Sequence, residues 1–97
     1  MPKFQWDADK NRANKAKHGI SFETASLIWD DPDYLVFPDA IYDGEERWLA
    51  VGTVGLTTVL VAVHTIRDSS GIELVRIISA RKATSHERRR YEQAAFD

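Results

Sequence analysis

Three arginines, one histidine and one serine interrupt stretches that otherwise read as buried strand: Arg47, Arg67, Arg76, His64 and Ser79. Burying an unpaired guanidinium is costly, so each arginine must reach a rim, a carboxylate or an anion. Arginine does not normally act as a base. Its planar fork can clamp a phosphate and stabilise charge as a phosphorane forms. Histidine titrates near neutrality, which makes His64 the candidate to move a proton. A lone histidine on an apolar strand is also a common hydrogen-bonded core residue, so both roles stay open. RNA brings its own nucleophile, the 2′-hydroxyl. A protein that holds it in line and neutralises charge can cut without a metal or a strong base.

The densest part of this pattern is Ile72 to Glu92, IELVRIISARKATSHERRRYE. Its β-branched first half reads as a central strand. Thr84-Ser85-His86-Glu87 reads as a capping box that opens a basic helix. A strand that hands its end to such a helix sets cations beside a helix N-terminus, a geometry suited to phosphate. Lys82, Arg88 and Arg89 are therefore candidate RNA contacts, and Tyr91 a candidate to stack on a base. The plainer readings are a solvated rim for the arginines and core packing for Tyr91.

Other chemistries lack their residues. No serine–histidine–acid arrangement and no glycine-rich phosphate loop is legible. His18, His64 and His86 have no metal-ligand spacing, and there is no cysteine, so neither a metal nor a cofactor is expected.

Ninety-seven residues, 43% of them hydrophobic, describe one ordered domain spanning residues 1–97. The start has no apolar signal segment, and the longest apolar run, Val59 to Val63, is too short for a membrane span. A cytosolic protein is the expectation. Net charge is −2, but its distribution is uneven. Residues 1–20 hold five Lys/Arg against two Asp, residues 21–46 hold eight acids and no base, and residues 64–91 hold seven Lys/Arg against three acids. Such segregation suits a basic face for RNA or an acidic protein and an acidic face for a basic partner.

Positioning these residues requires α+β architecture. Asp7 caps a first helix over about 8–18, ended by Gly19; its stripe Lys10, Asn14, Lys17, His18 is wholly polar. Ser21 caps a second helix over 22–30, stopped by Asp30-Asp31-Pro32. A short edge strand at 34–38 ends at Pro38, and an acidic loop at 39–46 leads to strands at 47–54, 57–67 and 72–81. Asp68 to Gly71 forms the last hairpin loop, and a closing helix covers 84–95. The expected fold is two N-terminal helices, a four-stranded antiparallel sheet and a C-terminal helix, with one layer of helices. The hairpin permits pairing of 67 or 68 with 72. That register decides whether His64 shares a face with Arg76 or with Ser79 and Arg81.

The segment from Trp6-Asp7 through Lys10, Asn14 and Lys17-His18-Gly19-Ile20-Ser21-Phe22-Glu23-Thr24-Ala25 resembles the N-terminal signature of BrnT-type toxins. Arg47, Arg67, the block Arg76-Ile77-Ile78-Ser79-Ala80-Arg81-Lys82-Ala83-Thr84, Glu87-Arg88 and Tyr91 resemble the remainder, so the likeness spans residues 4–92. It implies a toxin of a type II toxin–antitoxin pair, with a fold similar to the RelE ribonucleases and metal-independent RNA cleavage that halts translation. The implied functional positions are Arg47, Arg67, Arg76 and Arg81, with His64, Arg88 and Tyr91 behind them. The implied partner is a BrnA-like ribbon-helix-helix antitoxin in a heterotetramer that reaches operator DNA only through the antitoxin. A non-catalytic module, its arginine groove filled by the antitoxin's acidic segment, is the alternative.

Overall fold

A computed structural model describes residues 2–96. The order is β1 (Lys3–Gln5), α1 (Ala8–His18), α2 (Phe22–Ser26) running into a 3₁₀ turn (Leu27–Asp30), β2 (Leu35–Tyr42), β3 (Glu45–Val54), β4 (Thr58–Ser69), β5 (Ile72–Lys82) and α3 (Ser85–Phe96). The α+β class and the element sequence from α1 onward match the expectation. Three details differ.

The sheet has five strands, in the order β1-β5-β4-β3-β2, and is mixed. β1 pairs in parallel with β5, setting Lys3, Phe4 and Gln5 against Leu74, Val75 and Arg76. Three residues are too few to show an alternating pattern, so this edge strand is silent in the sequence. The region expected as an acidic loop is mostly strand: β2 runs to Tyr42 and β3 starts at Glu45, turning at Asp43-Gly44 with φ of 50° and 77°. Asp-Gly suits the two positive φ angles of a tight hairpin. Pro38 lies inside β2, which its place at the sheet edge permits.

The third difference is that helices cover both faces. Asp7 caps α1 by accepting from the N–H groups of Asp9 and Lys10 at 2.9 and 3.0 Å, and Gly19 closes it in the left-handed region at φ 75°. α2 and the 3₁₀ turn bring Phe22, Ala25 and Ile28 onto one face of the sheet, against Ala50, Leu60, Ala62, Val75, Ile77 and Ala80. Full burial of Phe22 or Ile28 contributes about 1.5–3 kcal/mol each. Gly52 lets the 3₁₀ turn come close: a Cβ there would stand 3.0 Å from Ile28 Cγ2. On the opposite face α3 lays Tyr91 and Ala95 over Val51, Val59 and Val61.

One network ties these layers together. The Tyr91 hydroxyl donates to Asp31 Oδ2, the Thr53 N–H donates to the same oxygen at 2.8 Å, and Thr53 Oγ1 donates to the Tyr91 hydroxyl oxygen at 3.0 Å. Burial pushes the Asp31 carboxyl up. The hydrogen bonds from Tyr91, Thr53 and Asp33 outweigh it and leave the group below its usual range.

Asn14 anchors α1. Its Nδ2 donates to the carbonyls of Ile20 and Ala80 at 2.9 Å each, and its Oδ1 accepts from the Ala80 N–H at 3.1 Å. The amide thereby completes the hydrogen bonding of β5 beyond the point where β1 stops.

Candidate active site

The β4–β5 hairpin pairs Ser69 with Ile72 across a two-residue turn, Ser70-Gly71, a register tighter than either one expected. That register holds as far as His64 opposite Ile77; then Val63 lies opposite Ser79, and Ile78 is the extra residue of a bulge. Along β4, Val61, Val63 and Thr65 share a face, and their partners are Arg81, Ser79 and Arg76. Arg76, Ser79 and Arg81 therefore all point to the α3 side. Arg67 follows Thr65 on that side. In β3, Trp48 pairs with His64, which turns Arg47 the same way.

His64 points to the other face. It is 0% exposed, its ring meets Trp29 edge-on at 4.9 Å, and its Nδ1–H donates to the Ala62 carbonyl at 3.1 Å. Nε2 is buried without a partner. Burial pushes its pKa down, and the Ala62 carbonyl only partly opposes this. The expected choice between Arg76 and Arg81 as its neighbour dissolves, because the hairpin register puts Arg76 on the other face and the bulge turns Arg81 there too. A proton carrier must touch the reacting atoms, and a fully enclosed ring on the opposite face does not. His64, expected as a catalytic candidate, lies instead in the core on the face opposite the arginines.

The four arginines differ in what they already hold. Arg81 is committed: its guanidinium donates in a fork to both Glu87 oxygens, at 2.7 and 2.9 Å. That fork holds the Glu87 carboxyl down at about 2 and pushes Arg81 up. Glu87 also accepts from the Thr84 N–H while Thr84 Oγ1 accepts from the Glu87 N–H, the capping box read from the sequence. The N-terminus of α3 is thus already served by a carboxylate, and Arg81 fastens β5 to α3. As a phosphate clamp it would first have to release Glu87.

Arg67 is exposed and makes a surface ion pair with Glu45 at 3.2 Å, a contact worth little. Arg47 lays its guanidinium over the Tyr42 ring at 4.3 Å, with Nε buried and without a partner. Arg76 is exposed, and among the described residues no carboxylate lies within ion-pair distance of it. Between these arginines sits Thr65, which is 2% exposed.

The remaining candidates separate. Lys82 pairs opposite Leu60, on the face away from Arg81. With Thr84, Ser85 and Arg88 it borders a small cleft at the start of α3. Arg88 and Arg89 are exposed on α3. Tyr91 is 4% exposed and donates to Asp31, so its ring is committed to the core and leaves no surface for a base. Arg90, not singled out from the sequence, reaches the arginine side and stacks on Phe37 at 4.3 Å. Its signal was its spacing: it lies three residues after Glu87 and so shares the sheet-facing side of α3.

Among the described residues no group of three or more His, Asp or Glu side chains is arranged to hold a metal ion, and no helix is long and apolar enough to cross a membrane.

The class so defined is a small α+β domain whose mixed sheet is cationic on one face beside a basic helix. The family described as the ribonuclease toxin, BrnT, of type II toxin–antitoxin systems matches residues 6–87, and this chain belongs to that family. The crystal structure of the Brucella abortus ribonuclease toxin, BrnT, is similar over 88% of this chain and 100% of its own, with a TM-score of 0.64 and 26% sequence identity. No curated protein matches the chain.

Proposed function

We propose that the chain is a metal-independent endoribonuclease, and that Arg47, Arg67 and Arg76 hold the scissile phosphate on the sheet face beside α3. The observation that carries this reading is the β4–β5 hairpin register, which sets Arg76 opposite Thr65 on the face of Arg47 and Arg67, where no carboxylate of the described residues pairs with it. Arg76 and Arg47 would take the non-bridging phosphate oxygens, and Arg67 would exchange Glu45 for substrate. The 2′-hydroxyl loses its proton to solvent as its oxygen bonds to phosphorus, the bond to the 5′-oxygen breaks, and that oxygen takes up a proton from solvent. The products are a 2′,3′-cyclic phosphate and a 5′-hydroxyl. Positioning and charge neutralisation supply the rate, with no side chain assigned as base.

In this reading the toxin arrests translation in the cytoplasm by cutting RNA, as a RelE-like nuclease does. A BrnA-like ribbon-helix-helix antitoxin restrains it in a heterotetramer and supplies the contact to operator DNA. The family's place in type II toxin–antitoxin systems supports such a partner.

The test is to incubate the purified chain with RNA in EDTA, with and without ribosomes, and determine the product ends by mass spectrometry. Cyclic phosphate ends are expected. Cleavage that requires added divalent metal, or products with 3′-hydroxyl ends, would contradict the reading.

A further inference from the structure

The polar stripe of α1 runs beside β5, with Lys10, Lys17 and His18 exposed. Asn14, at its centre, is buried and bonded to the backbone of β5, while Lys10, Lys17 and His18 stand around it at the mouth of a cleft of about 220 Å³. Ala13, Ile78 and Ser79 complete the lining, and no acidic residue is part of it. Ser79 belongs to both sides: it lies between Arg76 and Arg81 on the arginine face, and its hydroxyl donates to Asn14 Oδ1 at 3.3 Å. Arg76 and Ser79 are separated by about 10 Å of strand. The cleft is thus the continuation of the arginine face across the β5 edge.

Lys10 and Lys17 have no ion-pair partner among the described residues, whereas Arg12, on the outer side of the same helix, is paired with Asp9. The two lysines stand two helical turns apart, roughly 10 Å. The Asn14 bonds hold their helix in a fixed position. Two unpaired cations on an anchored helix beside an acid-free cleft, in a chain of net charge −2, are a local basic feature and not the overflow of a basic protein.

We infer that the α1–β5 cleft binds the sugar-phosphate backbone of single-stranded RNA, and that a strand crossing the arginine face continues over Ser79 onto Lys10 and Lys17. The inference rests on the nuclease reading above. It adds that substrate is bound beyond the reacting nucleotides, on a surface that takes no part in the chemistry.

The experiment compares the parent with Lys10→Ala/Lys17→Ala and with Arg12→Ala/Lys15→Ala, which removes the same charge from the outer side of α1. Alanine preserves helix propensity in both. Affinity for a long, fully 2′-O-methylated single strand is measured against salt, and cleavage is measured on a dinucleotide. For the cleft variant the slope of log K against log salt should fall by about 1.4, some 0.7 per lost phosphate contact. Dinucleotide cleavage should be unchanged, and the outer variant should keep the parent slope. An unchanged slope in the cleft variant, or an equal fall in both variants, would overturn the inference. A parent that binds the long strand through Lys10 and Lys17 yet cleaves no RNA would overturn the nuclease reading and leave the strand path standing.

Discussion

Arg76 and Arg81 project from the same face of β5 although five residues separate them, and in a regular strand an odd separation puts side chains on opposite faces. The bulge at Ile78 supplies the missing half-step. It brings Ser79 and Arg81 onto the face that the hairpin register already gives to Arg76, Arg67 and Arg47, opposite the core that holds His64 and Ile77. Bulges commonly re-aim side chains, and here Arg81 is re-aimed onto the face of Arg76, the one arginine of the set that holds neither a carboxylate nor an aromatic ring.

His64 separates a buried histidine from a catalytic one. His64→Leu should cleave RNA at the parent rate, because the ring lies on the wrong face. The variant should also lose a pH dependence of stability. The folded pKa is below the unfolded value of 6.5, so the unfolded chain takes up a proton first and stability falls as pH drops below about 6.5. Thermal melts between pH 7 and 5 should slope in the parent and flatten in the variant. A folded His64→Leu protein without activity would refute this placement.

Glu87 acts in a lower window. Its folded pKa of about 2 lies below the usual 4.5, so its contribution is complete above 4.5 and is lost as pH falls toward 2. The shift corresponds to at most roughly 3 kcal/mol, reduced because the Arg81 side chain is 33% exposed to screening solvent. Glu87→Gln should remove much of the parent's acid sensitivity in urea titrations between pH 5 and 3. The same substitution frees Arg81. If RNA binding then tightens, the fork to Glu87 is what withholds Arg81 from the substrate in the parent; unchanged binding would show that Arg81 is structural only.

Much of the site was legible in residue types, and less in their placement. The capping box at Thr84 and Glu87, the left-handed Gly19 and the strands around Leu60 and Ile77 follow from local chemistry, and all are present. What the sequence hid was non-local. A bulge moves one residue in a run of β-branched side chains, and nothing in Arg76-Ile77-Ile78-Ser79 distinguishes Ile78 from its neighbours. β1 exists only because β5 offers it an edge. Tyr91 and Asp31 lie sixty residues apart, so neither announces the other. Within the wholly polar stripe of α1 nothing marks Asn14 as the residue that satisfies a strand edge, which sequence periodicity does not reveal.

Tyr91 is held here to be a core residue that docks α3. Tyr91→Phe should keep the ring packing and remove the hydroxyl, leaving Asp31 with its backbone donors from Thr53 and Asp33. A loss of about 1–3 kcal/mol is expected, which lowers the melting temperature by about 4–8 °C per kcal/mol in a domain of this size. Cleavage at a temperature where both proteins are folded should be preserved. Lost RNA affinity at unchanged stability would instead mark Tyr91 as a nucleotide contact.

The central claim is that Arg76, the arginine of the set left unpaired, does the chemistry, and Arg76→Ala tests it most directly. Arg76 is exposed and unpaired, so the variant should melt with the parent, within about 0.5 kcal/mol. Single-turnover RNA cleavage in EDTA should nonetheless fall about 100- to 1,000-fold, the usual loss when one transition-state donor is removed. A folded Arg76→Ala protein that cleaves RNA at the parent rate would contradict the account.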